Sequence, residues 1–146
     1  MLEKVILESK AIDLNSFSIL VGKYVWRIEV EICLVNNDGN LLDACYLATI
    51  FSLLNFRLPL VKAKKGEKIE ILGEGNKRVW KRISIHHIPV LVTFIFLNDG
   101  KLFAIDPLLE EEEIMDGRIS IAMNIYGDVC AIHKPGGACL SPDIFQ

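Results

Sequence analysis

The chain has 146 residues, 51% of them hydrophobic and 24% charged, with 5 prolines, 10 glycines and a formal net charge of −3. These proportions exclude a disordered, collagen-like or low-complexity polypeptide, and the length suits a single domain. The acidic balance argues against a strong, sequence-independent grip on nucleic acid, while leaving room for a local basic patch.

Mean hydropathy is +0.35, high enough to call for a search for a membrane span. The densest apolar stretch, residues 41–54, is interrupted by Asp43, Thr49 and Ser52 and falls short of the ~20 residues a span needs. Residues 88–97 are fewer still and carry Pro89 and Thr93. The first ten residues alternate charged with apolar side chains and form no signal-peptide core. The hydropathy therefore points to heavily buried elements or a large interface in an intracellular protein. The cysteines are Cys33, Cys45, Cys130 and Cys139, with no CxxC pair, and with three histidines no zinc-finger spacing can be written. Cys33 and Cys45 lie among apolar neighbours and read as reduced thiols packed as small hydrophobes.

In chain order, residues 2–10 read as a helix end with Leu2, Val5, Ile6 and Leu7 on one face, and residues 11–16 as a polar connection. Residues 17–21 read as a strand closed by Gly22-Lys23. The plainest periodicity follows, where Trp26, Ile28, Val30, Ile32 and Leu34 alternate with Arg27, Glu29, Glu31 and Cys33. A period of two predicts a strand with one buried face, paired with its predecessor as a hairpin. The run Asn36-Asn37-Asp38-Gly39-Asn40 is a turn that offers a helix cap. Residues 41–56 predict a helix apolar on nearly every face, hence buried on several sides, and ended by Asn55 and Leu58-Pro59.

Residues 62–82 hold eight basic residues against Glu67, Glu70 and Glu74, with a short strand at 69–72, and read as an excursion between two halves of a fold. A long apolar strand is predicted over 84–97, then a hairpin turn at 98–101 and a strand at 102–105. Asp106-Pro107 breaks that strand, and 108–113 ends in four glutamates. Residues 118–124 alternate again, with Ile119, Ile121 and Met123 on one side. A turn at 126–128 leads to a strand at 129–133, a Pro135-Gly136-Gly137 loop and a poorly anchored tail. The order of elements predicts an α+β fold with layers packed on one face.

Few side chains announce chemistry. His86 and His87 are adjacent, so on a strand they face opposite ways and do not share a metal ion. Glu110, Glu111, Glu112 and Glu113, with Asp106 and Asp116, suit either a Mg²⁺ ion or, more simply, a solvated acidic turn. The basic stretch suits RNA phosphates or a solvated loop, and Trp80 alone makes no stacking platform. No phosphate-binding glycine motif and no nucleophile–base set has a distinguishing context.

Three stretches go further. Residues 35–59 (VNNDGNLLDACYLATIFSLLNFRLP), residues 84–96 (SIHHIPVLVTFIF), and residues 105–124 (IDPLLEEEEIMDGRISIAMN) with the late KPGG loop resemble the RNase PH-like ring subunits of the RNA exosome. The resemblance runs from Leu2 to about Leu140. It implies a ribosomal protein S5 domain 2-like, RNase PH-like fold, incomplete at both ends. Residues 1–60 would be the C-terminal part of the first RNase PH half, and residues 61–146 the second half without its last helix. It also implies partners: RNase PH-like sister subunits in a hexameric ring, cap subunits, and RNA threaded to a separate nuclease, in nucleus, nucleolus and cytoplasm. No cofactor, metal or membrane is implied. A high hydropathy suits such a subunit, since obligate interfaces resemble a core cut in half.

Active members of this family carry a Thr-Arg pair just after the Asp-Gly turn, the arginine holding the attacking phosphate, and two aspartates six positions apart after the acidic turn. A bidentate guanidinium suits the phosphate. The matching positions here are Leu41 and Leu42 for the pair, and Glu112 and Arg118 for the aspartates. Only Glu112 keeps the needed chemistry, and a cation at 118 repels Mg²⁺ and serves no general-acid role. The resemblance thus implies a non-catalytic subunit, with an active phosphate-dependent 3′-to-5′ exoribonuclease as the alternative. Lys64, Lys65 and Arg78 are the candidate RNA contacts. The family also implies roughly a hundred further residues upstream, so the chain is expected to be a portion that self-associates or dissolves poorly alone.

Overall fold

The computed structural model describes residues 1–63, 69–72 and 79–137. The elements are α1 (Leu2–Glu8), a 3-10 turn (Leu14–Phe17), β1 (Ser18–Leu20), β2 (Tyr24–Val25), α2 (Leu41–Asn55), β3 (Arg57–Pro59), β4 (Val61–Ala63), β5 (Ile69–Ile71), β6 (Trp80–Arg82), β7 (Val90–Leu97), β8 (Leu102–Ile105), α3 (Leu109–Ile114), β9 (Gly117–Met123) and β10 (Val129–His133). This is the α+β arrangement that the order of sequence patterns predicts.

The frame is an antiparallel sheet in the order β10-β9-β7-β8. Helix α2 packs on one face of it through the odd-numbered side chains of β7, of which Leu91, Thr93 and Ile95 are buried. Val5 and Ile6 of α1, Phe17, Tyr46, Ile50 and Leu53 of α2, Leu58, Ile83, Leu91 and Ala122 form one core cluster. The Tyr46 hydroxyl, fully buried, donates to the Pro89 carbonyl at 2.8 Å and ties α2 to the entry of β7. Arg57 donates to the carbonyls of Leu54 and Phe56, closing the C-terminal end of α2, where a cation is favoured. Asn98, Asp99 and Gly100 all have positive φ, the conformation a tight turn between β7 and β8 demands.

Several sequence expectations are corrected. The pairing with β1 falls on Tyr24–Val25, just before the strand predicted at 26–34, and the last ladder-like bond is from Trp26 N–H to the Phe17 carbonyl at 2.9 Å. Beyond it, residues 27–35 join no strand ladder among the described residues. A strand is defined by its partner, and β1, with three residues, is too short to supply one. The alternation is nonetheless real: Trp26 and Ile28 pack against the core, and Val30 and Ile32 continue along the same apolar groove of about 550 Å³ beside Leu2, Ile6 and Leu53. Cys33, expected to pack as a small hydrophobe, is exposed on this unpaired segment. Leu7 turns outward from α1.

Helix α2 is less enclosed than its composition predicts, with Leu47 and Phe51 exposed on the side away from the sheet. The apolar strand begins at Val90 rather than 84, because Pro89 has no N–H for a ladder. The segment before it pairs elsewhere, through an isolated bridge from Ile85 to Ile12. The glutamate run is a short helix, α3, and not a turn.

Candidate functional site at the head of helix α2

The turn before α2 is built by its polar residues. Asn37 Oδ1 accepts the Gly39 N–H at 3.1 Å. Gly39 has φ +95°, and a Cβ there would run into the carbonyl oxygen of Pro107 and lie 2.6 Å from the backbone of Leu108 and Leu109. Glycine alone lets this turn meet the segment that opens α3, backbone against backbone.

Asn40, with φ +45°, stands at the N-cap of α2, but its side chain does not cap the helix. Its Nδ2 donates to Asp43 Oδ2 at 3.1 Å and to Asp106 Oδ1 at 2.8 Å. Asp43 also accepts the Thr93 N–H at 2.8 Å on Oδ2 and the Thr93 hydroxyl at 2.7 Å on Oδ1. The Thr93 proton is thereby committed, so the Ser120 hydroxyl, 2.8 Å away, donates to Thr93 Oγ1. One buried chain of hydrogen bonds therefore joins α2, β7, β9 and the Asp106 corner.

Helix α3 closes the site from the other side. Glu111 Oε2 accepts the Leu108 N–H at 2.9 Å and secures the first turn. Glu112 Oε1 accepts the Asn40 N–H at 3.3 Å and lies 3.9 Å from Arg118 Nη1 on β9. Asp116 Oδ2 accepts the Asp99 N–H at 2.8 Å, and Gly137 bridges to Gly117. Glu112, Asp116 and Arg118, with Gly136 and Gly137, line a cleft of about 550 Å³.

The structure thus brings together the four positions singled out in the sequence. Leu41 and Leu42 form the first turn of α2, both partly buried, and Leu42 packs against the core cluster. Glu112 reaches the residue just before them and meets Arg118. Neither leucine side chain offers a donor to a phosphate. A divalent cation does not fit either: the Arg118 charge stands beside the Glu112 carboxylate, and Asp106, Glu111 and Asp116 accept hydrogen bonds from separate partners. Among the described residues no group of three His, Cys, Asp or Glu could hold a metal ion. Lys64, Lys65 and Arg78 lie outside the described residues, as does Cys139. His86 is exposed and His87 partly buried.

Asn40, Asp43, Thr93 and Ser120, the centre of the site, were not singled out by sequence reasoning. For two of them a signal was present: Asp43 and Thr93 are among the polar breaks in the two most apolar stretches. A polar side chain in such a context needs a partner, and each is the other's.

Residues 1–59 match the 3′ exoribonuclease family, domain 1, and residues 87–146 match the 3′ exoribonuclease family, domain 2. The chain is 39% identical over 143 residues to Exosome complex component RRP45 of Rattus norvegicus, covering 98% of this chain and 32% of that protein. It is 37% identical over 142 residues to Exosome complex component rrp45 of Schizosaccharomyces pombe, covering 97% of this chain and 48% of that protein. It therefore spans about a third to a half of the length of these relatives. Among solved structures, an archaeal exosome core superposes with a TM-score of 0.79 at 32% identity, over 99% of this chain and 53% of that one. An Archaeoglobus fulgidus exosome with RNA bound to the active site gives the same score and identity over 99% and 51%. With both domains of one family matched and its fold reproduced, the chain belongs to the 3′ exoribonuclease family and has the RNase PH-like fold.

Proposed function

We propose that this chain is a non-catalytic structural subunit of an RNA exosome ring, supporting 3′-to-5′ RNA processing and degradation through subunit assembly and channel formation. Its partners on this reading are RNase PH-like sister subunits, cap subunits and RNA, in nucleus, nucleolus and cytoplasm. The observation that carries the reading is the pairing of Glu112 with Arg118 at 3.9 Å beside a helix head occupied by Leu41 and Leu42. The position where phosphorolysis needs a guanidinium is aliphatic, and the position where it needs a carboxylate holds a cation. The names of the RRP45 relatives, as components of a complex, support the structural half of the reading.

Within the ring, the finer reading is the polymyositis–scleroderma autoantigen type, exosome component 9, on the runs at 37–40 and 84–87. Residues 1–60 are the end of the first RNase PH half and 61–146 the second, and Lys64, Lys65 and Arg78 are the candidate RNA contacts. Incubation of the purified chain, with and without its ring partner, with a tailed RNA and inorganic phosphate is expected to leave the tail intact. Phosphate-dependent shortening would establish the alternative, an active exoribonuclease. Affinity purification with mass spectrometry is expected to recover the other ring subunits.

A further inference from the structure

Strands β3 and β6 form a two-stranded antiparallel ladder in which Arg57 lies opposite Arg82, Leu58 opposite Lys81 and Pro59 opposite Trp80. Opposed residues share a side, and the sides alternate along each strand. Leu58 and Ile83 are buried in the core cluster, so theirs is the inner side. Arg57, Pro59, Trp80 and Arg82 therefore stand together on the outer side. Trp80 is 53% exposed, and Arg82 is exposed as well. Arg57 is partly buried and is fixed by its bonds to the carbonyls of Leu54 and Phe56.

Two cations placed directly opposite one another repel. No carboxylate among the described residues pairs with either guanidinium. An anion between them relieves the repulsion, and a guanidinium suits phosphate. Trp80 lies two positions from Arg82 on the same side, about 7 Å along the strand. By itself Trp80 makes no stacking platform. An indole beside guanidiniums does, since it receives an unpaired base together with its phosphate. An acidic protein surface would answer the charges and leave the indole face without a role. So would a duplex, whose bases are already stacked on one another. The ladder is also remote from the head of α2. Arg57 follows the C-terminal end of that 15-residue helix, about 22 Å from Leu41 at the α-helical rise.

We propose that the outer side of the β3–β6 ladder binds single-stranded RNA, with a base stacked on Trp80 and the adjoining phosphate held by Arg82 and Arg57. The inference takes from the ring-subunit reading only that the nucleic acid is RNA. It involves none of Lys64, Lys65 and Arg78, and it lies at the opposite end of α2 from Leu41 and Leu42.

The test is photocrosslinking. Tagged protein, purified with its complex from its own cells, is irradiated with an oligouridylate carrying 4-thiouridine, and adducts are mapped by mass spectrometry and normalised to the tagged protein. Wild type is compared with Trp80→Phe, Trp80→Ala, Arg82→Ala and, as the control, Lys4→Ala on α1. A thermal midpoint reports the folding of each. The expected result is an adduct on residues 79–84 of wild type, lowered about tenfold by Trp80→Ala, the loss of one stacked base, and severalfold by Arg82→Ala. Trp80→Phe and Lys4→Ala are expected to retain it. Arg82→Ala keeps the indole, so its effect reports binding and not photochemistry. Unlabelled single-stranded RNA is expected to displace the probe from wild type, and duplex RNA to leave it in place. This competition needs no variant and holds whether or not the variants fold. Absence of an adduct on residues 79–84 overturns the proposal. So does an adduct that both folded alanine variants leave undiminished, or that duplex RNA displaces equally well. Loss of a co-purified protein in place of RNA with the alanine variants assigns the ladder to a protein partner and overturns it too. If wild type recovers no exosome subunit, the ring-subunit reading falls, while the adduct on residues 79–84 still decides this proposal.

Discussion

Asp43 accepts three hydrogen bonds in the interior, from the Asn40 side chain and from the backbone and hydroxyl of Thr93. Its removal leaves the Thr93 N–H and hydroxyl without their acceptor in a buried place, which costs more than the bonds themselves are worth. Asp43→Ala is therefore expected to lower stability by about 3 kcal/mol, read as a shift in urea midpoint with unchanged slope. Tyr46 belongs to the same helix, and its titration has a definite sign. Burial, followed by the nearby Cys130 thiol, pushes its phenol from 10.0 up to about 12. The fold thus favours the neutral form, so the stabilisation is complete below pH 10 and is lost as pH rises from about 10 to 12. Denaturation at pH 8 and pH 11 is expected to show that loss, and Tyr46→Phe to remove this part of it. Burial also pushes the Cys130 thiol up, with Asp128 adding to it, which makes this cysteine a poor nucleophile at neutral pH.

At the scale of elements, period and partner part company. The alternation over residues 26–34 is as regular as any in the chain, yet no ladder forms there among the described residues. The segment is held instead by Trp26 and Ile28 against the core. Amides of residues 27–35 are accordingly expected to exchange with deuterium within seconds, while those of β7 and β9 stay protected. Mass spectrometry of peptic fragments checks this, and slow exchange at 29–33 would show the segment paired. Strand β9 makes the complementary point. Its large residues Ile119, Ile121 and Met123 share a face, as the sequence predicts, but that face is the one turned away from α2, where Ile119 is buried and Met123 exposed. The inner positions belong to Ser120 and Ala122, both fully buried, because a helix needs small residues beneath it and Thr93 needs a donor.

At the scale of the molecule, the head of α2 and the α3 region are 72 positions apart in sequence at the Asn40–Glu112 bond. They meet because Gly39 has no side chain. Gly39→Ala sets a Cβ against the Pro107–Leu109 backbone at a positive φ, and is expected to cost about 3 kcal/mol, measured as a lowered thermal midpoint. Loss of the Asn40–Glu112 contact would follow, seen as altered amide shifts at Asn40. Local patterns alone were enough for α1, α2, the strands β7 to β10, the hairpin turn at 98–101 and the apolar character of α2, while the positions Leu41, Leu42, Glu112 and Arg118 were singled out by the family resemblance. Each depends on neighbours in the chain: periodicity, turn residues, or a motif of fixed spacing. The pairing of Asp43 with Thr93, the contact of Glu112 with Arg118, the turning of the β9 isoleucines away from α2 and the unpaired segment after Val25 were decided only by tertiary structure. They depend on which distant group lies opposite, and a hydrogen bond, an ion pair or a strand ladder exists only once its second half has been brought within reach.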